Sequence, residues 1–234
     1  GTFPVGRGPR ALAFDGESMW VGNSEDGTVT KLSRTGEALG AFPLGGGYTA
    51  PSALLFDGQD LWVAASWGNI VVKMKRDGTV VRTIPIPGDH PSPWALAFDG
   101  ANIWVASLNR PEVLKLDRDG NRLGVFRLGL LPEEFQEYGG RGGQGPAALA
   151  FDGANIWVAT NWAGTVTKLT RDGQVLGEFP VGRWPDRMVF DGASIWVTNY
   201  GDDSVTRLAL DGAPLATLPV GDEPYALVVA GGAV

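Results

Sequence analysis

The stretch ALAFDGANIWVA occupies residues 95–106 and recurs letter for letter at residues 148–159. A catalytic motif needs one copy of each reacting group, whereas a structural unit gains from repetition, so the duplication points to architecture. Looser copies repeat the pattern: ALAFDGESMWVGN from Ala11, ALLFDGQDLWVAA from Ala53 and RMVFDGASIWVTN from Arg187. The Phe of the five copies falls at 14, 56, 98, 151 and 190 and the Trp at 20, 62, 104, 157 and 196, so both series step by 42, 42, 53 and 39. A period of about 40 residues marks a repeat array.

Inside one repeat, ALAFDG and IWVAT are short apolar runs joined by an Asp-Gly turn signal, and a third run, TVTKL, comes after them. After an RDG turn comes a fourth run, as in VLGEFPVG at residues 175–182, and a Pro then opens the next copy at 9, 51, 93, 146, 185 and 224. Each repeat therefore reads as a four-stranded antiparallel meander with strands a, b, c and d. The expected fold is all-β: a β-propeller of such blades, with five complete repeats and a split partial sixth. The repeats run at about 9–50, 51–92, 93–145, 146–184 and 185–223 of a single domain, with terminal strands at 1–8 and 224–234. GTFPVG at the start matches a strand d, and PYALVVAGGAV at the end matches a strand a.

The repeated residues have physical roles. A twisted sheet with two apolar faces can bury them only against its neighbours, so every blade needs large side chains at equivalent positions, and the repeat Trp residues read as inter-blade core. The FDG aspartates, Asp15, Asp57, Asp99, Asp152 and Asp191, read as turn residues rather than as a ring of metal ligands, because Asp bonds its own backbone in tight turns.

Composition narrows the function. A formal charge of −7 gives no global attraction to phosphate backbones, which argues against a nucleic-acid partner. With no Cys and one His, His90, neither disulfides nor a thiolate or His-rich metal site can be built, and no cofactor is called for. No apolar run approaches the ~20 residues of a helical membrane span. The chain opens on Gly1 and reads as a mature or excised segment, expected outside the cell or at its surface.

At residues 195–212, IWVTNYGDDSVTRLALDG, and 156–173, IWVATNWAGTVTKLTRDG, the chain resembles bacterial YVTN-type repeats and the related NHL and streptogramin-lyase-like propellers. Such blades occur in enzymes, sensors, surface proteins and scaffolds alike, so the resemblance implies a fold rather than an activity. In the lyase family, which linearises a cyclic antibiotic by elimination, catalytic histidines and acidic magnesium ligands sit at the central face. One of those histidines comes just after the Pro that opens a strand a. The matching positions here are Arg10, Ser52, Trp94, Ala147, Asp186 and Tyr225, and none is His.

Function should reside where the copies differ. In an a-b-c-d meander the b–c loops and d–a connections emerge on one face, around the central channel. The four Trp outside the repeat position all fall there: Trp67 and Trp162 in b–c loops, Trp94 and Trp184 in d–a connections. Tyr48, Tyr200 and Tyr225 join them, with Asn161, Asn199, Asp186, Arg187 and His90 as polar neighbours. Such a mixture suits stacking on, and hydrogen bonding to, an uncharged polar ligand. Packing over the blade tops is the competing role for each Trp.

Repeat 3 carries an insertion at residues 129–145, where PEEFQEY predicts one or two helical turns over this face, either as a lid or as a decorative excursion. Catalytic sets are wanting. No Ser-His-acid or Cys-His set can be assembled, and the acidic pairs Glu133–Glu134 and Asp202–Asp203 read as solvated loop residues. The expectation is a non-enzymatic module that recognises a small polar ligand, a glycan or a protein partner through the loop face. Two alternatives stand beside it: a lyase- or hydrolase-type enzyme, and an assembly module whose terminal strands complete a blade with another chain.

Overall fold

A computed structural model of the chain describes residues 1–45, 49–129 and 145–229. The predicted helical turns of the insertion, with Glu133 and Glu134, lie outside the described residues, as does Tyr48. Five four-stranded antiparallel sheets succeed one another along the chain. Blade 1 is β1 (Pro9–Phe14), β2 (Met19–Asn23), β3 (Thr28–Leu32) and β4 (Ala38–Pro43); blade 2 is β5 (Pro51–Phe56), β6 (Leu61–Ala65), β7 (Ile70–Met74) and β8 (Val80–Pro85). Blade 3 is β9 (Pro93–Phe98), β10 (Ile103–Ser107), β11 (Glu112–Leu116) and β12 (Arg122–Arg127); blade 4 is β13 (Pro146–Phe151), β14 (Ile156–Thr160), β15 (Thr165–Leu169) and β16 (Val175–Pro180). Blade 5 is β17 (Pro185–Phe190), β18 (Ile195–Asn199), β19 (Ser204–Leu208) and β20 (Pro214–Pro219). Strand a begins at the repeat Pro every time. There its missing N–H costs nothing to the ladder.

One local device recurs in all five blades. The FDG carboxylate spends one oxygen on the turn, as when Asp99 Oδ1 accepts from the amides of Ala101 (2.9 Å) and Asn102 (2.7 Å). Its other oxygen accepts the indole N–H of the repeat Trp five residues on, at 2.6 to 3.0 Å across the five copies. The buried indole thus has its polar atom satisfied, and the Trp is held in one orientation.

That orientation sets the packing. Trp20 lies against Leu61 and Val63 of blade 2, Trp62 against Ile103 and Val105 of blade 3, and the same relation joins blades 3 to 4 and 4 to 5. Trp20, Trp62, Trp104 and Trp157 are all completely buried. In blades 1 to 4 a Lys in strand c reaches past its Trp to a carbonyl of the next blade's c–d turn: Lys31 to Arg76, Lys73 to Arg118, Lys115 to Arg171 and Lys168 to Leu210. The next blade's turn glycine admits an aromatic ring from strand d. A methyl on Gly78 would sit 2.0 Å from the Phe42 ring, and one on Gly173 would sit 1.9 Å from that of Phe126. Both glycines have φ of +88° or +79°, so position and conformation each require Gly there.

The inner strands β1, β5, β9, β13 and β17 pack side by side in that order. Among the described residues no comparable packing joins β17 back to β1, and the terminal segments 1–8 and 220–229 form no ladder strand. The expected terminal strands d and a are therefore present as sequence and not as paired strands.

Candidate functional site

The b–c turns and d–a connections are tied together by backbone hydrogen bonds, which places them on one face. Ser66 N donates to Ala50 O (3.0 Å), Leu108 N to Ser92 O (3.0 Å), and Tyr200 N to Trp184 O (3.1 Å). In blades 2, 3 and 5 the residue before the opening Pro is bent into the left-handed region to make this approach: Ala50 at φ +47°, Ser92 at +51° and Trp184 at +53°. For side-chain-bearing residues that conformation is strained, and the repeated backbone bonds around it supply the compensation.

The residues immediately after the opening Pro converge at the channel mouth, although they come from different blades. The guanidinium of Arg10, from blade 1, lies 4.4 Å from the Trp94 ring centroid of blade 3. Its Nη2 donates to the Tyr225 hydroxyl at 2.7 Å. Arg187 lies over the Tyr225 ring, 4.7 Å from its centroid, and Tyr225 meets Tyr200 edge-on at 6.2 Å. Trp184 lies 6.4 Å beyond Tyr200. The result is a continuous row of rings and guanidinium planes, the geometry of stacking and cation–π contact.

Asp186 lies beneath this row with 8% of its surface exposed. Arg187 Nη1 is 2.9 Å from Asp186 Oδ2, yet that nitrogen directs its hydrogen bond to the Asp186 carbonyl, so the carboxylate oxygen has charge contact without a directed donor. Burial pushes the Asp186 carboxyl above its ordinary value, against the opposing pull of Arg187 and Arg10. Trp94 Nε1 is likewise buried without an acceptor. The mouth therefore contains one unspent acceptor and one unspent donor. Tyr200 is engaged differently: its hydroxyl bonds the Glu223 carboxylate, which raises the phenol above its usual value.

The remaining site residues predicted from sequence lie elsewhere on the face or beneath it. Trp67 and Trp162 top the b–c turns of blades 2 and 4, and Trp67 is 72% exposed. Asn161, which precedes Trp162, is partly buried, its amide 3.5 Å from the Pro185 carbonyl. Asn199 is completely buried. It donates to Ser204 and Thr206 and accepts from Gly182 N, so its amide closes the b–c turn. His90 is an exposed residue of the blade 2 to blade 3 connection, its Nε2 3.7 Å from an Asp89 carboxylate oxygen. Arg10 and Tyr225 are central to the cluster, and equivalence of position marks them: each comes directly after an opening Pro.

Magnesium, implied by the likeness to the lyase blades, does not fit this mouth. The positions after the opening Pro supply a single carboxylate, Asp186, and two guanidinium groups, Arg10 and Arg187, already compensate it. A divalent cation prefers several oxygen ligands and no adjacent positive charge. No helix among the described residues is long and apolar enough to cross a membrane.

No protein-family model and no curated protein matches the chain. Solved structures do. Virginiamycin B lyase from Staphylococcus aureus is similar with a TM-score of 0.81 and 16% identity, over 96% of this chain and 75% of that one. A catalytically inactive variant of the same enzyme, its mutated residue a histidine, is similar to the same degree in a structure with quinupristin, over 97% and 76% of the two chains. A nidogen/laminin complex structure is similar with a TM-score of 0.67 and 17% identity, over 90% and 80%. The fold is that of a YVTN/NHL-like β-propeller. At these identities the likeness extends to the fold alone.

Proposed function

We propose that this propeller is a non-enzymatic binding module whose ligand rests on the channel mouth, with Trp94 and Asp186 as its polar contacts and the row of rings and guanidinium planes as its stacking surface. The observation that carries the reading is the pair of unspent buried groups, Trp94 Nε1 and Asp186 Oδ2. A buried polar atom without a partner costs about 1–3 kcal/mol, and a ligand that supplies the missing acceptor and donor recovers that energy. The ligand class that fits is uncharged and polar with a flat face: a neutral sugar, or a peptide segment with an aromatic or amide side chain. The nidogen/laminin structure provides a fold-level example of such a propeller in a protein complex. The lyase reading has less support, because the inactive lyase variant had lost a histidine, whereas the positions after the opening Pro carry none here.

Tryptophan fluorescence, read while neutral oligosaccharides and short peptides are titrated in, tests this reading. Hits are expected to weaken by about tenfold or more, equivalent to about 1.4 kcal/mol, in both Trp94→Ala and Asp186→Asn, with melting curves showing both variants folded. Trp67→Ala and Trp162→Ala should weaken larger ligands only. Binding that is indifferent to all four substitutions removes the proposed site, and linearisation of quinupristin by the wild-type chain would restore the enzyme.

A further inference from the structure

The outer strands β4, β8, β12, β16 and β20 each form the free edge of a blade, and an edge strand invites pairing unless something blunts it. In four of them the blunting residue is a Pro at the last register position: Pro43 opposite Thr28, Pro85 opposite Ile70, Pro180 opposite Thr165 and Pro219 opposite Ser204. In β12 that position, opposite Glu112, is Arg127. The next residue, Leu128, donates its N–H inward to Pro111 O (2.9 Å), as Leu44, Ile86, Val181 and Val220 do in their own blades. Antiparallel ladders alternate, so the amides of Val125 and Arg127 point outward, away from β11. Of the five outer strands, β12 alone keeps an N–H at this place.

The side chains of that edge are charged and uncompensated. Arg122 and Arg127 are exposed, and among the described residues neither has an ion-pair or hydrogen-bond partner; Glu112, across from Arg127, makes no ion pair with it. This in a chain of formal charge −7 sets the edge apart. Between the two guanidinium groups lie Leu123, 54% exposed, and Val125, 39% exposed. An exposed aliphatic at the place of Leu123 recurs in every blade, as Leu39, Val81, Leu176 and Leu215, so apolar exposure by itself selects no blade. The missing Pro and the two free guanidinium groups do. Val125 is opposite Leu114, which packs with Trp62 and Ile84 of blade 2, so Val125 and Arg127 share the face toward that blade. A groove of about 340 Å³ runs there, between Ile84 and Pro85 on one side and Leu114, Leu116 and Arg122 on the other.

We infer that the outer edge of β12 is a docking site for an extended acidic segment of another protein, which adds to blade 3 as a fifth strand. Backbone hydrogen bonds to Val125 and Arg127 supply the pairing, and the side chains of β12 set the preference. An antiparallel occupant places one carboxylate opposite Arg127, an aliphatic residue opposite Val125, another opposite Leu123 and a second carboxylate opposite Arg122. Opposite charges and paired aliphatics across a ladder each strengthen it. A second copy of the chain fits less well, since two β12 edges brought together gather four guanidinium groups at one seam. The site belongs to the outermost strand of its blade, so it is independent of the channel mouth that the innermost strands build.

A fluorescein-labelled peptide, Ser-Glu-Thr-Val-Thr-Val-Glu-Ser, titrated with the full chain and read by fluorescence polarisation, is the probe. Saturable binding is expected, and it should weaken as salt rises. Arg127→Pro gives β12 the residue that its four counterparts carry at the same register, so this variant folds, and it should weaken binding about tenfold or more. Arg122→Glu combined with Arg127→Glu should weaken it as much and should bind instead the peptide with Lys in place of Glu, a reversal that a structural role alone would not produce. Asp186→Asn should leave peptide binding unchanged, which separates this site from the channel mouth. Absence of binding, binding untouched by Arg127→Pro, equal binding of a scrambled peptide, or a dimer of the chain alone that Arg127→Pro dissociates would each overturn the proposal.

Discussion

Asp99 connects a turn to the core with one carboxylate. Burial acts against its charge, but the bonds from the Trp104 indole and from the turn amides of Ala101 and Asn102 outweigh that cost and hold its carboxyl below the ordinary 3.8. The same balance lowers Asp15 and Asp152; in Asp57 the Arg118 guanidinium is the leading cause that offsets burial, and in Asp191 the Trp196 bond leads. Asp99→Ala strands the indole N–H in the core and should cost about 2–3 kcal/mol in denaturant melts. Asp99→Asn should cost nearly as much, because an amide oxygen kept on the turn aims its NH₂ at the indole donor. The pH dependence has a definite sign. A depressed carboxyl contributes stability that is complete above its unfolded value and is lost as pH falls through the folded one. The penalty of Asp99→Ala should therefore shrink on titration from pH 7 to about pH 3. Asp186 acts in the opposite sense, since its raised carboxyl costs stability as pH rises through its folded value. In the sequence the Asp reads as turn and the Trp as core. Their constant five-residue spacing is visible there, but the bond between them depends on the rotamer of the Trp.

Among elements, the second strand of each blade matters most, and its weight depends on whether another blade packs over its Trp. Trp104 in β10 is enclosed by blade 4, so Trp104→Ala should cost about 3–5 kcal/mol. Trp196 in β18 has the equivalent carboxylate partner, Asp191, but among the described residues no blade packs over it, and Trp196→Ala should cost roughly half as much in the same melts. Near-equal losses would mean that the last interface is covered in solution. The strands themselves are legible from the Pro, Asp-Gly and apolar punctuation. Pairing of the terminal segments is not, because a strand a or d needs b and c beside it before its backbone can form a ladder. Asn199 misleads for a similar reason: a polar residue at a loop edge looks available until the turn closes over it.

At the scale of the whole molecule, the repeats reveal how many blades there are but not whether they close, because closure depends on the angle between blades and not on the apolar pattern within each. An open row has ends, and its stability is a sum of blade terms and nearest-neighbour terms, so end blades with one neighbour open more readily than central ones. Hydrogen exchange monitored by mass spectrometry should therefore show a gradient. Amides of β10 in blade 3 should be the best protected, and those of β2 and β18 in the end blades should exchange at least about tenfold faster, the ratio for a difference of about 1.4 kcal/mol. A closed ring gives no such gradient, because every blade then has two neighbours. Uniform protection would mean that blades 1 and 5 are each covered on both faces in solution.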